Sequence, residues 1–165
     1  MKTLTLDVEK AFARVTLARP EVHNAFHPAM IAELTEVFEA LADDDAVRGA
    51  VLAAEGKSFS AGADLAWMKE SAGYSEAQNA ADARAMASMF QALDGFPKPL
   101  LVRVQGAALG GGVGLVACGD VVVAADGAVF GLTEVRLGII PAVISPYVVG
   151  KIGPGQARRY FLTGE

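Results

Sequence analysis

Polar and apolar positions alternate through MKTLTLDVEKAFARVTLARP. The alternation predicts two strands, Lys2 to Asp7 and Ala13 to Leu17, joined by Val8 to Phe12 as an opening hairpin. The period then changes. Pro28 stands where a first-turn residue belongs, and Met30, Ile31, Leu34, Val37, Phe38 and Leu41 recur at helical spacing until the acidic Asp43 to Asp45. Arg48 to Ala54 predicts a third strand, after which KSFSAGADL places small residues where a helix begins. Ser75 and Gln78 have capping-box spacing ahead of a long helix with Met86, Met89, Phe90 and Leu93 on one face. A methionine stripe of this kind reads as core.

After Pro99 the pattern predicts a strand Leu100 to Val104, a glycine-rich segment with a short helix, and a strand Val121 to Ala125 ending at Asp126. Phe130 to Val135 and a turn Gly138 to Pro141 follow, and Gln156 to Leu162 reads as helical. Strand–helix units recur without a linker or low-complexity tract, so the fold class is α/β. A chain of 165 residues fits one domain, and 53% hydrophobic content supplies its core.

Charge removes one class of function. A formal net charge of −5, with no Lys/Arg-rich tract, excludes a general nucleic-acid binder, which needs a basic face for phosphates. The single cysteine, Cys118, lies in an apolar run and reads as a small buried hydrophobe. The N-terminus lacks the apolar core of a signal peptide and no run is long enough to span a bilayer, so a cytoplasmic protein without a membrane partner is expected. His23 and His27 have no Cys or acidic partner at ligand spacing; they read as cap or surface residues, and no metal is expected.

The segment GAALGGGVGLVACGD, Gly106 to Asp120, holds six of the chain's 18 glycines. So much bare backbone marks a sharp turn or a close approach. Gly110-x-Gly112 or Gly112-x-Gly114-x-x-Ala117, with Asp126 after the next strand, can be laid onto a dinucleotide fingerprint. That fingerprint needs a full-length helix, however, and Val113 to Cys118 allows barely two turns before Gly119. Taken together, SAGADL and GGGVGL suggest another chemistry. Each puts free N–H groups at a helix start, and two such ends aimed at one point would hold a developing oxyanion, as a thioester enolate requires.

The segments RPEVHNAF, FSAGADL, GAALGGGVGL, ACGDVVVAA and FGLTEVRLGIIP, in this order, resemble the crotonase, or enoyl-CoA hydratase/isomerase, family. The resemblance runs from the hairpin to the last residue. It implies a spiral of ββα units, a coenzyme A thioester as substrate, no prosthetic group, and a peptide oxyanion hole. It puts the oxyanion donors at the backbone N–H groups of Ala63 and Gly111. It lays the CoA adenine and pantetheine along Val22, Asn24, Ala61, Ala63, Asp64 and Leu65. Glu134 matches the family's second catalytic glutamate, although a single glutamate in this setting otherwise reads as a strand-edge residue facing water. A carboxylate in an apolar cavity suits the work, because desolvation raises its pKa toward neutrality. Lys57 and Lys69 are candidates for the CoA phosphates, and Trp67 for packing near the acyl pocket or under its lid.

Two departures from the family pattern stand out. Two-glutamate hydratases have their first carboxylate two residues after the third motif glycine, where this chain has Gly114. Isomerases of the family manage with one glutamate. The tail IIPAVISPYVVGKIG and ARRYFLTGE nevertheless resembles the bacterial branch that hydrates 3-methylglutaconyl-CoA and related thioesters in leucine degradation. Gly114 is then expected to remove a like charge and some bulk opposing the substrate's distal carboxylate, leaving Glu134 to activate water and return the proton. The second departure is length: the family continues into C-terminal helices that complete the pocket and build a trimer or a dimer of trimers. The chain is therefore expected to be the spiral core alone, exposing apolar surface meant for partners. The reading is an enoyl-CoA hydratase of a branched or carboxylated thioester. An isomerase, a dinucleotide-dependent oxidoreductase and a catalytically silent acyl-CoA-binding member are the alternatives.

Overall fold

The computed structural model describes residues 1–165. Strands β1 (Leu4–Glu9) and β2 (Phe12–Leu17) pair antiparallel, with Leu4 opposite Leu17 and Glu9 opposite Phe12. Only Lys10 and Ala11 connect them, both with positive φ (50° and 66°). This turn is tighter than the expected Val8–Phe12 connection. Neither residue is the Gly or Asn that usually announces such a turn, so the pattern hides it.

From β2 the sheet continues parallel through β3 (Gly49–Ala54), β4 (Leu100–Val104) and β6 (Val121–Ala124), in the order β1-β2-β3-β4-β6. Crossover helices join these strands, as parallel pairing demands. Helix α1 (Pro28–Asp43) begins at its proline, with His27 as N-cap, and buries the six apolar residues that the spacing selects. Helix α3 (Glu76–Asp94) opens on the full Ser75–Gln78 capping box and packs on α1. Met89, Phe90 and Leu93 are buried, and Phe38 meets Phe96 edge to face at 5.4 Å between ring centres. Each large side chain so buried stabilises the fold by about 1.5–3 kcal/mol.

Three features lie outside the hydrophobic pattern. A second sheet consists of two two-residue strands, β5 (Ala108–Leu109) and β7 (Phe130–Gly131), paired in parallel. Glu134 lies in a 3-10 turn, Thr133–Leu137, rather than on a strand. Helix α5 (Ser145–Thr163) starts well before Gln156, with Pro146 in its first turn, and breaks at Gly153 (φ 78°) ahead of Pro154. The glycines and prolines interrupt its period, while Val148 and Ala157 on either side of the break are buried.

The molecule is thus an α/β structure, as expected, with helices α2 (Leu65–Ser71) and α4 (Gly111–Cys118) starting near each other at the carboxyl ends of β3 and β4. No helix is long and apolar enough to cross a membrane. Apolar surface is exposed, notably Ile140 at 77% and Leu162 at 76%.

Candidate active site

The chain leaves β3 and β4 in two loops that run side by side. Ser60 pairs with Ala108, and Leu109 N–H donates to Ser60 O at 2.9 Å. Glycines allow this contact. Gly62 has φ +84°, and a Cβ there would stand 2.9 Å from Leu109 O and 3.3 Å from Gly111 N. At Gly112 it would meet Ser60 O at 2.6 Å, so the third motif glycine serves the approach of backbone to backbone.

The peptide planes of these loops fix two N–H groups. In a trans peptide the C=O and N–H point in opposite directions. Gly62 O accepts from Phe26 N–H at 2.6 Å, which turns the N–H of the same peptide, that of Ala63, away from Phe26. Gly110 O accepts from the N–H groups of Val113 and Gly114, at 2.9 and 3.3 Å, which turns Gly111 N–H out of helix α4. Neither Ala63 nor Gly111 has a protein acceptor for its N–H. Both residues line one cavity of about 550 Å³.

Glu134 lines the same cavity. A Cβ on Gly110, whose φ is +50°, would stand 2.9 Å from Glu134 Oε1, so the first motif glycine makes room for the carboxylate. Glu134 is half-buried, and its Oε2 is buried with no hydrogen-bond partner. Burial raises the carboxyl above the ordinary glutamate range, opposed only by its own backbone N–H. The arrangement offers two donors for an oxyanion and one side chain able to hold or release a proton. The rest of the lining is mostly apolar, with Met68, Met86, Leu137, Ile139, Ile140 and Val143 among it.

Of the residues expected along the CoA, Val22, Ala61, Ala63, Asp64 and Leu65 line the cavity. Asn24 does not. Its side chain is wholly buried: Oδ1 accepts from Arg19 N–H at 2.8 Å, and Nδ2 donates to Glu55 O and Ser58 O at 2.9 and 3.1 Å. Asn24 therefore clamps the loop, where it and His23 both adopt left-handed φ. Lys57 and Lys69 are exposed and meet no acidic group.

Gly114 also departs from expectation. It is buried in α4 and does not line the cavity; a Cβ there would meet Ile144 Cγ2 at 2.5 Å and Phe90 Cε1 at 2.8 Å. Apolar side chains occupy the ground beside it, so its smallness answers to packing before charge. Trp67 faces away from this cavity, lining a smaller one of about 300 Å³ between α1, α2 and α3. Met86, taken for core, lies at the edge of its stripe and reaches the main cavity. His23 lies on the rim with Nδ1 3.1 Å from Ser58 Oγ, and His27 accepts from Ala29 N–H as the cap of α1. No three His, Cys, Asp or Glu are grouped to hold a metal ion. Of the glycines of the dinucleotide pattern, Gly110 lies against the Glu134 carboxylate and Gly112 and Gly114 are packed within α4, whose eight residues fall short of the full-length helix that pattern needs, which removes that alternative.

Two residues of the site carry no signal in the hydrophobic pattern. Ser60 is fully buried; its Oγ donates to Asn24 O at 2.9 Å and accepts from Gly62 N–H at 3.3 Å. Arg19 donates to Ala25 O and to Asp64. Both lie inside quoted motifs, RPEVHNAF and FSAGADL, which is the one hint the sequence contains.

Comparison with known proteins places the chain in a family. The enoyl-CoA hydratase/isomerase family model matches residues 7–165. The 2,3-dehydroadipyl-CoA hydratase of Escherichia coli is 35% identical over 166 residues, 100% of this chain and 63% of that protein. The crotonyl-CoA hydratase of Syntrophomonas wolfei is 33% identical over 170 residues, 99% of this chain and 63% of that protein. A crystal structure of an enoyl-CoA hydratase from Shewanella pealeana superposes with a TM-score of 0.96 at 46% identity, covering 99% of this chain and 62% of that one. The chain thus spans somewhat under two thirds of the length of these relatives. With the family model matched over residues 7–165 and the fold shared with these relatives, the chain belongs to the enoyl-CoA hydratase/isomerase family.

Proposed function

We propose that the protein of which residues 1–165 form the spiral core hydrates an enoyl-CoA thioester, adding water across its 2,3 double bond. The observation that supports this best is the buried, unpartnered Oε2 of Glu134 in the same cavity as the free N–H groups of Ala63 and Gly111. In this reading the thioester oxygen lies between the two N–H groups, which stabilise the negative charge that grows on it as the nucleophile adds. Glu134 takes a proton from water at the β carbon and returns it to the α carbon, and a raised carboxyl pKa suits both halves of that exchange. Val22, Ala61, Asp64 and Leu65 would flank the CoA portion.

A branched or carboxylated acyl group, such as that of 3-methylglutaconyl-CoA, is the finer proposal. The apolar lining suits a branch methyl. None of the lining residues is Lys or Arg, so a distal carboxylate would meet its counter-charge outside them. Assembly into trimers or paired trimers, completion of the pocket by C-terminal helices, and a cytoplasmic role in leucine degradation belong to the same proposal. The second reading is double-bond isomerisation, favoured by the single carboxylate of the cavity wall next to α4.

The deciding experiment uses the full-length protein with crotonyl-CoA and 3-methylglutaconyl-CoA, following loss of enoyl absorbance, and with a 3-enoyl thioester, following its gain. Hydration of both 2-enoyl thioesters, faster for the branched one, is expected. Migration of the 3-enoyl double bond with no hydration would establish the isomerase instead. Faster hydration of the crotonyl thioester would remove the branched assignment.

A further inference from the structure

Arg19 and Asp64 are 45 positions apart and meet beside the cavity, with side chains only 17% and 13% exposed. The guanidinium forks: Nη2 lies 3.1 Å from Asp64 Oδ2, and Nη1 donates to Ala25 O at 2.7 Å. The carboxylate is shared as well, since its Oδ1 accepts from Ala66 N–H at 2.9 Å and caps helix α2. Burial alone would push this carboxyl up. The hydrogen bonds from Ala66 N–H and Arg19 outweigh it and hold the group below its ordinary range, so it stays ionised.

The two segments so tied are those of the Phe26–Ala63 bridge. Phe26 N–H donates to Gly62 O and Asp64 N–H to Phe26 O, at 2.6 and 3.0 Å, and before the bridge Ala61 N–H donates to His23 O and Ser60 Oγ to Asn24 O, both at 2.9 Å. Those bonds set the plane of the peptide carrying Ala63 N–H. After Ala63 only the Asp64 N–H bond continues the backbone pairing. The Arg19 fork fastens it from the side, gripping Ala25 just before Phe26 and Asp64 just after Ala63.

We propose that Arg19 and Asp64 are a positioning pair that holds the Ala63 N–H on the thioester oxygen. The pair acts through the bridge and touches no reacting atom. The proposal rests on the reading of Ala63 as an oxyanion donor. Loosening the clamp should lower turnover more than binding, because a donor aimed at the developing oxyanion matters most in the transition state. A shift of about 1 Å in such a group can cost about 10²-fold in rate.

The test compares Arg19→Met, Arg19→Lys and Asp64→Asn in the full-length protein. Asp64→Asn keeps an N-cap for α2 while removing the charge that Arg19 meets, so it remains informative if Arg19→Met does not fold. Three quantities are read: kcat for crotonyl-CoA, Kd for the unreactive butyryl-CoA, and the absorption maximum of bound cinnamoyl-CoA. The last moves to longer wavelength when donors polarise its carbonyl. In Arg19→Met and Asp64→Asn, kcat should fall about 10- to 100-fold. In Arg19→Met, butyryl-CoA Kd should stay within about threefold, and the red shift should shrink in both variants. Arg19→Lys should recover part of both kcat and red shift, because an ammonium keeps the charge but not the fork. An unchanged kcat, or a loss shared equally by Kd with the red shift intact, would overturn the positioning role. If the unmodified protein neither red-shifts cinnamoyl-CoA nor hydrates crotonyl-CoA, the oxyanion reading itself fails and the proposal falls with it.

Discussion

The α-carbon of Gly110 lies against the carboxylate of Glu134, so closely that a Cβ on the glycine would stand 2.9 Å from Oε1. The two residues come from different elements, the N-cap of α4 and the 3-10 turn Thr133–Leu137. Their contact places the ionisable group beside the first turn of the helix at whose start Gly111 N–H is free.

Gly110→Ala should therefore strike the site twice. The methyl would displace the carboxylate, and the backbone there (φ 50°, ψ −118°) is one that alanine rarely adopts. A stability loss of about 1–3 kcal/mol by urea unfolding is expected, together with at least about tenfold slower hydration. Unaltered turnover would show that Glu134 does not depend on this contact.

Glu134 itself should lower stability where it is ionised. Its folded carboxyl titrates above the ordinary glutamate value, so the native state keeps a proton that the unfolded chain has already lost. Its contribution is full below the unfolded value and is lost as pH rises through the folded one. Glu134→Gln should thus match the parent in melting temperature at acid pH and exceed it progressively as pH rises to neutral. A constant difference at all pH values would contradict the burial of this carboxyl.

Gly114→Glu should damage the protein for steric reasons, since its side chain must enter space held by Phe90 and Ile144. Overpacking of this kind destabilises by about 1–3 kcal/mol. Hydration of crotonyl-CoA and of 3-methylglutaconyl-CoA should fall alike, and Ile144→Ala in the same chain should restore part of the loss. Selective loss of the carboxylated thioester would favour charge over packing.

Cys118 should be inert in the native state. It is buried, and desolvation, helped by Asp94 and opposed by Lys151, pushes its thiol up to about 12. Alkylation by iodoacetamide at about pH 8, near the ordinary thiol value, should require unfolding. Rapid modification of the folded protein would show that α4 opens.

Much of this structure is legible where local forces dominate. The start of α1 at Pro28 and the capping box of α3 follow from single residues whose backbone preferences suit those positions. Strands β3 and β4 follow from apolar runs. What escapes the pattern depends on contacts distant in sequence. A two-residue strand such as β5 has no period, and it exists because Phe130 and Gly131 come to lie beside it. The helical stretch from Ser145 is hidden by its own glycines and Pro154. In the site, the motif glycines announce close approach but not what approaches: Glu134 at Gly110, Ser60 at Gly112, Phe90 and Ile144 at Gly114. Asn24 shows the limit of carrying a role along a motif, and Trp67 that of assigning a side chain to a pocket, because burial and facing direction are properties of the packed chain.

Whether Glu134 carries the proton in water addition is decided by hydration of crotonyl-CoA by the full-length Glu134→Gln protein. The substitution keeps the shape of the side chain and removes its titration. A kcat lower by about 10²–10⁴-fold is expected, the usual scale for a general acid–base group, with butyryl-CoA bound nearly as tightly as by the parent. Retention of most of the activity, with the parent's dependence on pH, would contradict it.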